Sequence, residues 1–181
     1  MTAIAKNILI TGLPGSGKTT LIRKLAEELR EFSPAGFFTQ EIRERGMRKG
    51  FLLASLDGKN TGVLAHTDIK GPHRVGKYGV DLAGFEWFLD ELKLADLSAG
   101  LVIIDEIGKM ECFSNRFQEL ISSLLNKPVP VIATIALKAG GFIDAVKRRP
   151  GILLYELTER NRDALLPEIA VRVRSLERSR G

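Results

Sequence analysis

Residues 12–19 read GLPGSGKT, a full match to the pattern G-x-x-x-x-G-K-[ST]. The flanking chain supplies the context that this pattern requires. Asn7 to Thr11 (NILIT) is a short apolar run that reads as a strand, and Leu21, Ile22, Leu25 and Leu29 fall at helical spacing within Lys18 to Glu31. Strand, glycine-rich loop and helix in this order form a phosphate cradle. The glycines let backbone N–H groups turn inward, the start of the helix adds the positive end of its dipole, and the lysine reaches the β and γ oxygens. Average residue frequencies give such a match on the order of once per hundred chains of this length, before the strand and helix are required.

Gly12, Leu13, Pro14, Gly15, Ser16, Gly17, Lys18, Thr19 and Thr20 are therefore the candidate phosphate-binding residues, and Lys18 is also a catalytic candidate through its charge. Thr19 is expected to offer its hydroxyl to a magnesium ion.

A second motif lies far downstream. LVIIDE (Leu101 to Glu106) is a continuous apolar run ending in two acids, as in a strand buried on both faces of a parallel sheet. The carboxyl ends of such strands are where open α/β sheets bind ligands. Asp105 is placed to hold Mg2+ through its water shell, and Glu106 to orient and deprotonate an attacking water. A binding protein would not need that second carboxylate. Thr19 and Asp105 are thus the metal candidates, with Asp105 and Glu106 joining the loop in binding the nucleotide.

Hydrolysis also calls for positive charge on the transferred phosphoryl group beyond the loop lysine. Lys109 is the first candidate and the third catalytic residue, because Gly108 frees the backbone beside Glu106. A solvated surface lysine is the competing reading. Arg116, Lys77 and Arg74 are further candidates for that charge, and Arg160, Asn161 and Arg162 for contacts to base or ribose.

The remaining pattern supports an α/β fold: a doubly wound, mainly parallel sheet with an antiparallel hairpin extension, forming a single domain over residues 1–181. Gly36 to Arg43, Gly50 to Leu56 and Thr61 to His66 read as an antiparallel meander turning at Asp57-Gly58. Lys70 to Gly79 reads as a loop, and Asp81 to Leu97 as a helix capped by Asp81. Phe113 to Leu125 and Gly141 to Arg149 read as helices. Val129 to Ile135 and Gly151 to Leu157 read as buried strands, and Thr158 to about Leu176 as a last helix with a threonine cap. Trp87 and Phe88 are expected in the core.

Composition narrows the function classes. The 181 residues are 44% hydrophobic, with a net charge of +5 and one cysteine, Cys112. That excludes an internal disulfide or a cysteine-built zinc cluster. His66 and His73 lack a third ligand at metal spacing. No run suits a membrane span, and Met1 to Asn7 lacks the regions of a signal peptide, so a cytoplasmic location is expected. The basic groups, Arg43 to Lys49, Lys147 to Arg149 and Arg172 to Arg180, lack interleaved aromatics and read as solvated faces. Nucleic acid is a possible partner that is not favoured, and a monomer is favoured as the assembly state. An N-K-x-D stretch is absent, which argues against strict GTP specificity.

With both motifs in place, the chain resembles the small cancer-related nucleoside-triphosphatase family first recognised in thermophiles. The resemblance rests on NILITGLPGSGKTTL (7–21), GFFTQEIR (36–43), GFLLASLDGK (50–59), VGKYGV (75–80), IIDEIGKME (103–111), VIATI (131–135) and ELTERNRD (156–163). It implies slow hydrolysis of several nucleoside triphosphates with little base preference. Cys112 stands where the family pattern carries an apolar residue such as leucine, a small change. Two other functions compete: a nucleotide or small-molecule kinase, whose phosphate loop has the same form, and a nucleotide-switched module that engages nucleic acid or protein.

Overall fold

The structure is a computed structural model that describes residues 5–96 and 98–178. Residues 1–4, Leu97 at the expected end of the second helix and Arg180 of the basic tail lie outside the described residues.

Among the described residues, nine strands form one sheet in the order β5-β6-β4-β3-β2-β7-β8-β1-β9. They are β1 (Asn7–Thr11), β2 (Ala35–Glu44), β3 (Met47–Ser55), β4 (Thr61–His66), β5 (Arg74–Val75), β6 (Tyr78–Val80), β7 (Val102–Ile107), β8 (Val131–Ile135) and β9 (Ile152–Glu156). Strands β2, β7, β8, β1 and β9 run parallel, and β3 to β6 extend the sheet from β2 in antiparallel register. The helices are α1 (Lys18–Glu28), α2 (Leu82–Leu92), α3 (Asn115–Asn126), α4 (Gly141–Lys147) and α5 (Arg162–Arg178).

Alternation along the central strands explains the double winding. Ile8 and Ile10 of β1, Ile103 of β7 and Ile132 of β8 point to one face, where they pack with Leu21, Ile22 and Leu25 of α1 and Ile169 and Val173 of α5. Leu9, Val102, Ile104 and Ala133 point to the other, against Phe85 and Phe88 of α2, Phe117 and Ile121 of α3 and Val146 of α4. Phe37 of β2 anchors the second face, with edge-on ring contacts to Phe85, Phe88 and Phe117. Since β1, β7, β8 and β9 are parallel, their carboxyl ends share one rim of the sheet, and both motifs lie on it.

Some expectations are corrected. The segment Lys70 to Gly79 is not all loop: β5 and β6 form a hairpin that pairs with β4, a tertiary contact with no local periodicity. Asp81 caps α2, accepting from the Gly84 N–H at 2.9 Å, but the helix ends at Leu92, where Lys93 turns left-handed at φ 48°. Phe88 is buried and Trp87 is 58% exposed, because neighbouring helical side chains diverge by about 100° and only one faces the sheet. Strand β9 is an edge strand and only partly buried. The last helix begins at Arg162 and not at Thr158. The Asn161 side chain organises the preceding turn by accepting from the Thr158 N–H and donating to the Glu156 carbonyl. No helix among the described residues is long and apolar enough to cross a membrane.

Candidate active site

Gly12 to Gly17 join β1 to α1, and the backbone shows why glycine recurs. Gly12 has φ 155°, and a Cβ there would lie 2.7 Å from the Leu157 carbonyl oxygen and 2.9 Å from Ser16 Oγ. Gly15 and Gly17 adopt positive φ of 78° and 98°, a region costly for other residues. The loop also leans on the end of β9, since the Leu157 N–H donates to the Thr11 carbonyl at 2.7 Å. Leu13, Pro14 and Gly15 form the exposed crest, and Thr19 and Thr20 open the first turn of α1.

Lys18 arches back over this loop, its Nζ donating to the carbonyls of Gly12 at 3.0 Å and Leu13 at 3.1 Å. Ser16 Oγ is buried without a hydrogen-bond partner among the described residues.

Asp105 is the centre of the second half. Only 2% exposed, it accepts from Thr19 Oγ1 at 2.9 Å on one oxygen and from Thr134 Oγ1 at 2.6 Å on the other. The Thr39 hydroxyl donates to its backbone carbonyl. Three threonines, from α1, β8 and β2, thus fix one aspartate. Burial raises the Asp105 pKa, and the hydrogen bonds from Thr134 and Thr19 oppose that rise. Pairing of β7 with β8 shifts register between Ile104 and Ile107, so Asp105 and Glu106 sit in an irregularity of the strand. The peptide bond between them is cis.

Glu106 is half-buried. Its pKa is raised by desolvation first and by the Asp105 charge second, with Lys18 pulling the other way. Lys18 acting on Glu106 links the loop electrostatically to the acidic strand end.

A family model described as NTPase matches residues 7–170. The chain belongs to the NTPase family. Among its relatives, Nucleoside-triphosphatase THEP1 of Thermotoga petrophila is 47% identical over 163 residues, covering 90% of this chain and 89% of the relative. The crystal structure of THEP1 from Aquifex aeolicus superposes with a TM-score of 0.78 at 37% identity, over 90% of this chain and 96% of that one. The solution structure of a human cancer-related nucleoside triphosphatase gives 0.79 at 37% identity, over 94% and 98%. The P-loop α/β fold expected from the motifs is therefore that of this family.

Within this NTPase family member, the further cation candidates are spread out. Lys109 is exposed and makes no hydrogen bond or ion pair among the described residues. Arg116 forms an ion pair with Asp90 on α2. The Arg74 guanidinium donates to the carbonyls of Ile69 and Lys77, and Lys77 lies over the Tyr78 ring. Asn161 is occupied with the turn it organises.

Besides Thr134 and Thr39, two further residues near the site were not singled out by sequence reading. Arg23 of α1 stacks over the Phe38 ring at 4.7 Å, and its charge favours the ionised form of Asp105. Glu111, 4% exposed, lies behind Glu106: a Cβ on Gly108 would stand 2.7 Å from Glu111 Oε2 and 3.3 Å from Glu106 Oε1. Burial, and then the charge of Glu106, push the Glu111 pKa up to about 8. The only trace of it in sequence was the acid closing IGKME; its burial comes from the one-turn 3-10 helix Glu111–Phe113.

Proposed function

We propose that this protein, acting as one domain, hydrolyses nucleoside 5′-triphosphates to the diphosphate and inorganic phosphate, with Mg2+ as cofactor and little preference among bases. The observation that carries this reading is the 2.9 Å hydrogen bond between Thr19 and Asp105, with Glu106 next in the chain. It supports a gap in which a triphosphate tail lies between loop amides on one side and two carboxylates on the other. The names of the relatives point to the same reaction class.

Each residue has a task. The amides of residues 12–19 and the Lys18 ammonium hold the β and γ oxygens, and the partnerless Ser16 hydroxyl suits one of them. Thr19 and Asp105 present hard oxygen donors on one spot, which fits Mg2+, an ion that takes few protein ligands and fills the rest with water and phosphate. When bound there, the ion neutralises charge on the phosphates. Glu106 accepts the proton of the attacking water. Its raised proton affinity makes it a better base than a solvated carboxylate. Lys109, free of partners among the described residues, supplies further positive charge to the phosphoryl group.

The reading is tested by release of inorganic phosphate from ATP, GTP, CTP and UTP, with Mg2+ and with a chelator. Rates of one order across the four nucleotides are expected, falling to background in the chelator. A strict demand for one base, or consumption of ATP only when a phosphate acceptor is added, would contradict it.

A further inference from the structure

Beside the hydrolytic residues, at the carboxyl ends of β7 and β8, lies an open cleft of about 500 Å³. That volume suits a small ligand, and the rim is the usual binding edge of an open α/β sheet. The β5–β6 hairpin contributes Arg74, the turn after β7 contributes Lys109 and Phe113, and Gln118, Ala139 and Phe142 come from α3 and the β8–α4 region. No residue of the phosphate loop lines it. The cleft is nonetheless close to the chemistry, since Lys109 follows Gly108, which abuts Glu106.

Its lining is chemically one-sided. Among the described residues, its lining includes two cations and no aspartate or glutamate. Arg74, at the cleft edge, is held by backbone carbonyls, at 3.2 Å to Ile69 and 2.8 Å to Lys77, and makes no ion pair among the described residues. Lys109 has no partner among the described residues. A concave site with uncompensated positive charge favours an anion. Apolar surface comes from Phe113, set by its 5.0 Å ring contact with His73, and from Phe142. The Gln118 amide nitrogen donates to the Cys112 carbonyl at 2.7 Å, leaving its oxygen as an acceptor.

We propose that this cleft is a second ligand site, separate from the phosphate loop, that takes a small phosphorylated molecule with a planar body, of nucleoside monophosphate size. Arg74 holds the phosphate and the two phenylalanines cover the planar part, while Lys109, at the border with the hydrolytic site, serves the transferred phosphoryl group.

The probe is AMP, titrated by calorimetry into protein saturated with Mg2+ and a non-hydrolysable ATP analogue. One AMP per chain is expected, with a Kd of ~1 mM or tighter, and with adenosine and inorganic phosphate each at least about tenfold weaker. Ala139→Glu puts a carboxylate into the cleft away from the loop. It should abolish AMP binding while the ATP analogue still binds within a few-fold of the parent, which shows that the variant is folded. Arg74→Gln should weaken AMP by about tenfold, a loss of roughly 1.4 kcal/mol. Absence of AMP binding in the loaded protein would overturn the proposal, as would unchanged binding to Ala139→Glu or phosphate binding as tightly as AMP. Failure of the ATP analogue to bind would instead contradict the hydrolytic reading, and comparison of parent with Ala139→Glu would still decide the cleft.

Discussion

Thr19 donates its hydroxyl hydrogen to Asp105 across 2.9 Å, joining the first turn of α1 to the end of β7, 86 residues away in sequence. Thr134 holds the other carboxylate oxygen from β8 at 2.6 Å. A carboxylate taken out of water depends on such donors. Thr134→Val keeps the shape and removes one, so unfolding in urea should show a loss of about 2 kcal/mol at neutral pH, with phosphate release slowed as Asp105 loses its orientation. Unfolding indistinguishable from the parent would show that Asp105 does not need this bond.

Glu106 must be ionised to accept a proton. Its pKa lies above the ordinary 4.5 because of burial and the neighbouring Asp105. The acid limb of the pH profile of kcat/KM, which reports the free enzyme, should therefore fall at a pH above 4.5, and Glu106→Gln should remove that limb along with most of the activity. A rate that stays flat down to pH 4.5 would contradict the assignment.

Glu111 gives a pH dependence of stability whose sign follows from its raised pKa. With 4.5 as the ordinary value and about 8 in the fold, the folded protein prefers the protonated acid. Its favourable contribution is fully present below pH 4.5 and is lost as pH rises towards about 8. Glu111→Gln cannot ionise. Relative to the parent, the variant should gain stability with rising pH across that window, by an amount on the order of a few kcal/mol. Parallel melting curves for parent and variant from pH 5 to 9 would count against a buried, protonated Glu111.

Gly36 tests the join between the parallel and antiparallel parts of the sheet. It pairs with Ile103 of β7 at φ 144°, and a Cβ there would lie 1.7 Å from the Ile103 carbonyl oxygen. Because that atom belongs to a central strand, it cannot yield. Gly36→Ala should cost about 3 kcal/mol or more, or prevent folding, as read by chemical denaturation. A variant as stable as the parent would mean that β2 does not approach β7 so closely.

What could be read in advance follows from where the information lies. The loop and its flanking elements are local in sequence, and LVIIDE reports its own two-sided burial, so the rim of the sheet and its main acids were legible. Strands β5 and β6 were not, because two and three residues carry no period and their pairing partner is β4. Glu111 was hidden for a similar reason: an acid in a turn reads as solvated until the fold shows Gly108 and Glu106 packed against it. Trp87 and Phe88 illustrate the limit of composition, since two adjacent aromatics on one helix face opposite fates. Edge position, which leaves β9 half-exposed, is a property of strand order and not of its apolar sequence.

Glu106 is expected to serve the chemical step at a site formed by the loop and Asp105. The most direct test of that role is a comparison of parent and Glu106→Gln in both binding and turnover, using a fluorescent ATP analogue with Mg2+ and single-turnover phosphate release. Nucleotide affinity within a few-fold of the parent, together with a release rate lower by about 10² or more, is the predicted result. Equal release rates in the two proteins would contradict it.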